Sequence, residues 1–355
     1  MADVEIPPID ALPGWPMPEE QGEWYGLREV ETLLRDACAG GRLHHAWLIG
    51  GLKGVGKATL AFRLARFILA RPDPATAAGE GLHVAPDERV FRQIAAGAHP
   101  NLLALRRPWD EKTKRYRTAL TVDEVRRIQH FFGSTPGEGA WRICIVDNAD
   151  ELNPNAANAL LKMLEEPPRR SLFLLVSNTP GMLLPTLRSR CRKLDLPPLS
   201  ADAIEAALAA REDAPAGERR MAAELSGGSL RRAILMLQGE GVAIYQQFQQ
   251  LAATLPEVDY EAVHALADAV SGRGNEDAFS GFIDGVQDWL SRRVRREAEP
   301  GGVTPSPAVT GAPLASWADV WDKVALSTRD AEELNLDRKQ VVLQIFMTLA
   351  DATRM

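Results

Sequence analysis

The stretch Gly51-Leu52-Lys53-Gly54-Val55-Gly56-Lys57-Ala58 decides the fold. It has the spacing of a phosphate-binding loop, in which backbone N–H groups at the start of a helix cradle phosphates and the lysine reaches the β- and γ-phosphates. The apolar run His45–Gly50 precedes the loop, and a helical pattern from Ala58 to Ala70 follows it. This strand–loop–helix order predicts a nucleotide-binding α/β fold.

A second motif, the apolar strand Arg142–Asp147, supplies the other half of such a site. In nucleotide-hydrolysing proteins with this loop, a strand-end Asp and the Ser or Thr of the loop hold Mg²⁺. Asp147 is present, but Ala58 lacks the hydroxyl, and Asn148 cannot act as a general base because an amide has no usable carboxylate. Thr59 lies about 100° further around the helix, so we expect it to point into the fold rather than replace Ala58. The pattern indicates a retained cradle without hydrolysis.

Two polar residues outside these motifs are further candidates for the site. Asn178 follows the third apolar strand, where related sites place a residue that senses the γ-phosphate, although a loop Asn is also ordinary turn chemistry. Arg231 begins a helix, and it either reaches the γ-phosphate or is surface charge. We expect ATP or ADP binding to be weak or absent, with these residues at the nucleotide: Gly51, Gly54, Val55, Gly56, Lys57, Ala58, Thr59, Asp147, Asn178 and Arg231.

Composition limits the class of protein. A chain of 355 residues suggests two or three domains, and a net charge of −7 argues against a globally basic nucleic-acid binder. This charge does not exclude a local basic groove, in which Arg126, Arg127 and Lys162 are candidates for contact with the DNA backbone. The three cysteines, Cys38, Cys144 and Cys191, are too few and too scattered for a four-ligand zinc site, so no zinc is expected. No apolar run approaches about 20 residues, and the predicted location is cytoplasmic with no membrane partner.

Strand and helix patterns alternate through the first half of the chain. Thr121 and Glu124 have capping-box spacing, Asn153 is a predicted N-cap, and Ser171–Ser177 is a third apolar strand. This alternation predicts a mostly parallel sheet with helices on both faces. Beyond Pro197-Pro198 the pattern is helical, with interruptions at Gly227-Gly228 and at the Pro/Gly/Thr-rich stretch 299–313. Residues 1–22 are predicted to form a tail or strap, and residues 71–89 an exposed excursion.

The chain resembles the AAA+ clamp-loader subunits of bacterial DNA polymerase III, and among them the delta-prime type. Apart from the loop, the matching strings are His44–Leu48, His99–Leu102, Val146–Asp150, Asn155–Pro168, Leu187–Cys191 and Leu334–Gln340. The resemblance implies an N-terminal tail (1–22), an AAA+ core (23–198), a small helical lid (199–239) and a helical collar for oligomerisation (240–355). The collar stripe Leu314, Trp317, Val320, Trp321 and Val324 either packs against partner helices or is buried within its own domain.

The resemblance also implies a role in a hetero-oligomer. A stator-like subunit of this type assembles with gamma or tau motor subunits and the delta subunit, meets the sliding clamp indirectly, and acts on primer–template DNA through the complex. Arg190, in the string Ser189-Arg190-Cys191, matches an arginine that faces a motor neighbour's ATP. Fingers of this kind contribute about 10³–10⁵ in rate. Taken alone, such a basic cluster is usually a solvated face.

Two departures and three alternatives accompany this resemblance. Many relatives carry a four-cysteine zinc module, but residues 71–100 contain no Cys, and Lys57 is retained although some delta-prime subunits lose the loop.

The alternatives are an active ATP-hydrolysing motor subunit, a stand-alone AAA+ remodeller or helicase loader, and a passive scaffold. Ala58 and Asn148 disfavour the first, and the Ala156–Pro168 and Asn335–Gln340 strings disfavour the second. The third differs from the stator only in whether Arg190 serves a partner.

Overall fold

A computed structural model describes residues 6, 8–40, 43–71, 73, 81–133, 141–272, 278–279, 281–283, 285–287, 289–290, 293, 317, 320, 323–324 and 337–354. The chain divides into two compact units. The first comprises Met1–Ala207 and Gly228–Arg231, and the second comprises Leu208–Gly227 and Arg232–Met355. The tail, core, lid and collar boundaries expected from the sequence stay a prediction.

A parallel sheet organises the first unit. Its strands are β1 (Ala46–Gly50), β2 (Leu102–Leu105), β5 (Arg142–Asp147), β6 (Ser171–Val176) and β7 (Arg192–Asp195), in the spatial order β2-β5-β6-β1-β7. All four pairings between neighbours are parallel. A two-stranded antiparallel hairpin, β3 (Trp109–Asp110) with β4 (Arg115–Tyr116), lies between β2 and the next helix in the chain. β1, β5 and β6 are nearly continuous apolar runs because helices cover both faces of the sheet.

The helices of the first unit form two layers around that sheet. They are α1 (Arg28–Ala39), α2 (Lys57–Ala70), α3 (Arg89–Ala95), α4 (Val122–Gly133), α5 (Pro154–Glu165), α6 (Pro185–Arg190) and α7 (Ala201–Ala209), whose last two residues fall in the second unit. One core cluster joins α1, α2 and α3 to one sheet face, and the other joins α4, α5 and α6 to the opposite face. The predicted capping chemistry is present, since Asn153 accepts from the Ala156 N–H at 2.9 Å and Glu124 from the Thr121 N–H at 2.8 Å.

The second unit is helical in its described part. It contains α8 (Ala216–Leu225), most of α9 (Leu230–Gln238), α10 (Gly241–Ala253), α11 (Tyr260–Ser271) and α12 (Arg338–Arg354). The rings of Phe282, Trp289 and Phe346 surround that of Phe248 at 5.7–5.9 Å. Together with the parallel sheet of the first unit, these helices confirm the predicted fold class. No helix in the ranges given above is both long and apolar enough to span a membrane.

The burial of individual residues bears on two predictions from the sequence, the exposed excursion and the collar stripe. Leu82 and Val84 lie in the stretch predicted to be an exposed excursion, yet both are buried against the α2 side of the sheet, so that part of the prediction is wrong. In the collar stripe, Trp317, Val320 and Val324 are buried within this single chain, which is the second of the two alternatives for that stripe. Leu314 and Trp321 lie outside the described residues.

Candidate functional site

The phosphate-binding loop connects β1 to α2, as its sequence predicts, and its backbone needs glycine. Gly51, Gly54 and Gly56 have φ values of 137°, 83° and 97°. At Gly54 a Cβ atom would also collide with Ser229 and Arg231, whose segment packs directly on the loop. Ser229 Oγ donates to the Lys53 carbonyl at 2.7 Å. The loop is therefore closely covered by the segment at the start of α9.

Lys57 is turned back into its own loop. Its Nζ donates to the carbonyl oxygens of Gly51 at 2.8 Å and Leu52 at 2.6 Å, and the residue is 4% exposed. Burial lowers the pKa of this ammonium group to about 8, although the charges of Asp150 and Asp147 oppose the shift. The lysine that would reach nucleotide phosphates is thus held by two backbone carbonyls. Ala58 and Thr59 follow it, both half-buried in the first turn of α2, and Val55 is buried.

Asp147 is engaged by an arginine that the sequence analysis did not single out. Arg106 Nε donates to Asp147 Oδ2 at 3.0 Å, while the two terminal nitrogens of Arg106 donate to the two carboxylate oxygens of Glu19 at 2.7 Å each. All three side chains are at most 19% exposed. We call this group the Arg106 cluster. It places a fixed cation on the carboxylate that would otherwise bind Mg²⁺.

Arg106 stabilises the ionised form of both carboxylates in the Arg106 cluster against the cost of burial. Burial raises the pKa of Asp147, and the charge of Arg106 beside it offsets only part of that rise. Burial also opposes ionisation of Glu19, but the hydrogen bonds and charge of Arg106 outweigh it and hold the pKa of Glu19 below its ordinary value. For Arg106 itself, the contacts with Glu19 and Asp147 overcome burial and raise the pKa. With Asp147 paired and Ala58 without a hydroxyl, the residues here do not fit a magnesium ion.

The loops after β5 and β6 are tied together by Asp150, which the sequence analysis also missed. Its carboxylate accepts from Ser177 Oγ at 2.5 Å and from the Asn178 N–H at 2.6 Å. Asn148 Oδ1 accepts from the Asp150 N–H at 3.1 Å, so this amide caps the short turn Ala149–Glu151. Asn178 is therefore held beside the predicted site by its backbone N–H, which donates to Asp150. Asn148 occupies the position of the catalytic carboxylate, but its side chain makes a structural hydrogen bond with the Asp150 backbone.

Arg231 reaches the loop, but it contacts the N-terminal segment of the chain. Its N–H donates to the Gly54 carbonyl at 3.4 Å, and its guanidinium donates to the Asp10 carbonyl. The Asp10 carboxylate lies 3.7 Å from Arg231 Nη2 and 3.8 Å from Lys53 Nζ. The predicted nucleotide-binding residues are thus brought together at the carboxyl edge of the sheet, and residues near the N-terminus lie over them.

Arg190 lies at the opposite edge. It ends α6 just before β7, which pairs with β1 in parallel from Trp47↔Arg192 to Gly50↔Asp195. The loop follows the carboxyl end of β1, whereas Arg190 precedes the amino end of the neighbouring strand. A four-residue strand is about 13 Å long, so Arg190 is separated from its own chain's loop by about the length of a strand. Its guanidinium pairs with Glu165 and donates to the Thr186 carbonyl at 2.9 Å.

The side chains around Arg190 leave it accessible. Arg190 is 34% exposed and Glu165 47% exposed. Met182, at 85% exposure, and Leu184, at 37%, lie in the segment that leads into α6. Cys191 is buried, and burial raises the pKa of its thiol to about 12, so in this string only the arginine is presented as a charged group. Arg126, Arg127 and Lys162, the candidates for DNA-backbone contact, are exposed on the neighbouring helices α4 and α5.

Comparison with known proteins gives consistent matches. The family model described as "DNA polymerase III, delta subunit" matches residues 26–200. DNA polymerase III subunit delta' of Pseudomonas aeruginosa is 38% identical over 207 residues, which are 57% of this chain and 59% of that protein. The Escherichia coli subunit delta' is 34% identical over 245 residues, 68% of this chain and 70% of that protein. Subunit tau of Escherichia coli is 28% identical over 283 residues, 73% of this chain and 41% of that protein.

Proposed function

This chain belongs to the delta-prime subunit family of DNA polymerase III, and from that premise we propose that it is the stator-like subunit of a clamp loader. In this role it does not hydrolyse ATP. It supplies Arg190 to the nucleotide site of a neighbouring motor subunit and so helps to load a sliding clamp onto primed DNA.

The observation that carries the proposal is the position of Arg190. The residue is separated from its own loop by the length of the β1–β7 pair, and it is partly exposed. A guanidinium presented in this way suits a phosphate group that belongs to another chain. Arginine is suited to the task because its planar fork is permanently charged and matches phosphate oxygens in pairs. The exposed Met182 and Leu184 nearby supply apolar surface for the same neighbour.

The second half of the proposal is that the chain's own nucleotide site does not hydrolyse ATP. Hydrolysis needs a metal bridging the β- and γ-phosphates and a residue that positions water. Here the loop hydroxyl is replaced by Ala58, Asn148 caps a turn, and Asp147 is paired with Arg106. We infer that any binding of ATP or ADP is weak and independent of Mg²⁺, and that the chain contributes no turnover of its own.

The partners proposed follow from the same family membership. They are gamma or tau motor subunits and the delta subunit, with the clamp contacted indirectly and primer–template DNA contacted through the assembled complex. A basic surface on α4 and α5, formed by Arg126, Arg127 and Lys162, is available for the DNA backbone, since phosphate contact requires only such positive charge. A core, a helical lid and a helical collar for assembly are the proposed domains.

ATPase measurements on the purified chain test this function. Alone, the chain should show no turnover above background. Added to motor and delta subunits with clamp and primed DNA, it should stimulate hydrolysis, and the Arg190→Lys variant should fail almost as badly as Arg190→Ala because an ammonium cannot reproduce the fork geometry. Lys193→Ala, at an exposed basic position in β7, is the matched control and should behave as wild type. Steady hydrolysis by the chain alone, abolished by Lys57→Ala, would instead identify a motor subunit.

A further inference from the structure

Residues 8–25 are here called the N-terminal strap. The C-terminal part of this strap is held on α2 by two arginines. Arg66 Nη2 donates to the Gln21 carbonyl and Arg63 Nη1 to the Gly22 carbonyl, each at 2.6 Å. Arg66 is 1% exposed, and its guanidinium lies 4.4 Å from the centroid of the Phe91 ring. A buried guanidinium without partners is strongly destabilising, so these contacts anchor the strap firmly on α2.

From that anchor the strap supplies Glu19 to the Arg106 cluster. Glu19 holds both terminal nitrogens of Arg106 at 2.7 Å, which leaves the Nε of the same guanidinium on Asp147. A bidentate carboxylate pair of this kind fixes the guanidinium plane as well as its position. The strap therefore determines that the strand-end carboxylate faces an arginine.

Further toward the N-terminus, the strap reaches the cations of the loop. The Asp10 carbonyl accepts from Arg231, and the Asp10 carboxylate lies 3.7 Å from Arg231 and 3.8 Å from Lys53. Arg231 is one of the predicted nucleotide-binding residues, and Lys53 belongs to the phosphate-binding loop itself, so both cations lie where they would attract nucleotide phosphates. Trp24 of the strap lies over Gly56, 3.4 Å from the position of a Cβ atom on that glycine.

We propose that the N-terminal strap is an internal occupant of the nucleotide site, in which Asp10 takes the place of a phosphate and Glu19 holds Arg106 in the place of the metal ion. Strap and nucleotide then exclude each other, because both require Arg231 and Lys53. The anchored part, from Glu19 to Gly22, stays in place, and the segment 8–18 is the part that a nucleotide must displace. This goes beyond the proposed function, which assigns Arg190 to a neighbour and leaves the chain's own site without hydrolysis but gives the strap no role.

The test uses full-length protein and calorimetric titration with ATP and with ADP, in the presence and absence of Mg²⁺. Asp10→Asn removes the charge and keeps the shape, so both nucleotides should bind about three- to tenfold more tightly than to wild type, the range expected for two weak exposed ion pairs. Glu23→Gln is the matched control: it removes one exposed carboxylate from the same strap and leaves the contacts of Asp10 with Lys53 and Arg231 intact, so its affinity should equal that of wild type. Mg²⁺ should change none of these affinities by more than about twofold, because Arg106 stays on Asp147.

Equal affinity of Asp10→Asn and wild type, including no binding by either, would overturn the proposal, as would an equal gain in Glu23→Gln. A second measurement addresses displacement directly. In Asp10→Asn saturated with ATP, backbone amides of residues 8–18 should exchange hydrogen faster than in the same variant without nucleotide, while residues 19–22 should not change. Unchanged exchange across 8–18 with nucleotide bound would contradict mutual exclusion. Neither measurement involves motor subunits, so its failure is distinct from a failure of the Arg190 proposal.

Discussion

The basic side chains at the two edges of the sheet in the first unit differ in how far they and their partners are buried. At the carboxyl edge, Lys57 is held by two carbonyls, and Arg106 is held by Glu19 and Asp147. At the amino edge, Arg190 is held by Glu165 in an ion pair whose members are 34% and 47% exposed. Buried partners are costly to remove, whereas an exposed pair contributes little. The comparison suggests that the chain's own site resists a ligand, while Arg190 is released at small cost to a partner's phosphate.

The largest expected effect is at the carboxyl edge. Arg106→Gln removes the one cation of the Arg106 cluster and leaves Glu19 and Asp147 as neighbouring carboxylates that are each only 18% exposed. We expect the free energy of unfolding to fall by about 3–5 kcal/mol, the cost of breaking a buried ion pair from one side. Urea denaturation measures it, with Arg115→Gln on the exposed β4 strand as the control. A loss below about 1 kcal/mol would mean that the ion pairs of Arg106 contribute no more to stability than ion pairs on the protein surface.

Lys57 gives a smaller effect with a distinct pH dependence. Because burial lowers its folded-state pKa to about 8 from 10.5, the unfolded chain binds more protons between these values, and stability contributed by this residue rises with pH there. Below about pH 8 both states are protonated, so the cost of burying the charge is fully present. Relative to Lys57→Met, wild type should gain about 2 kcal/mol between pH 7.5 and pH 9.5.

The comparison between wild type and Lys57→Met cancels the titration of groups that both proteins share. Denaturant unfolding at the two pH values therefore isolates Lys57. A constant difference in unfolding free energy would show that this ammonium is not buried at a cost in the folded chain. A fall in the stability of wild type relative to Lys57→Met with rising pH would instead indicate an ammonium that a carboxylate stabilises in the folded chain.

The smallest effect is expected at the amino edge. Glu165→Gln removes the partner of Arg190, and because both side chains are substantially exposed the unfolding free energy should change by no more than about 0.5 kcal/mol. ATP hydrolysis by an assembled loader containing this variant should stay at or above the wild-type rate, since Arg190 is freed rather than lost. A loss of hydrolysis with unchanged stability would show that Glu165 positions the arginine instead of merely neutralising it.

Much of the fold was predictable because its signals are local. The loop follows a strand and opens a helix, Asn153 precedes Pro154 at the start of α5, and Thr121 and Glu124 are three positions apart. Each of these relations depends on residues within a few positions of one another. The apolar runs of β5 and β6 are likewise visible in the sequence, since strands covered on both faces are apolar throughout.

The Arg106 cluster and the contacts of the strap were missed because they join distant parts of the chain. Glu19 and Arg106 are 87 positions apart, and the strap has no periodicity that would predict its path. Arg106 follows β2, and β2 pairs with β5, so a basic residue beyond one strand beside Asp147 beyond the next was a possible clue. Leu82 and Val84 were missed for a related reason, since two apolar residues in an irregular stretch carry no period.

The most direct test places the two edges in one assay. Loaders assembled with gamma or tau, delta and this chain would be prepared with wild type, Arg190→Ala or Lys57→Ala, and DNA-stimulated ATP hydrolysis would be measured with clamp and primed DNA present. We predict that Arg190→Ala lowers the rate by about twofold or more, a partial loss because the proposed loader contains further motor sites that Arg190 does not serve. Lys57→Ala should leave the rate within error of wild type. Equal rates for Arg190→Ala and wild type, or an equal fall with Lys57→Ala, would contradict the account.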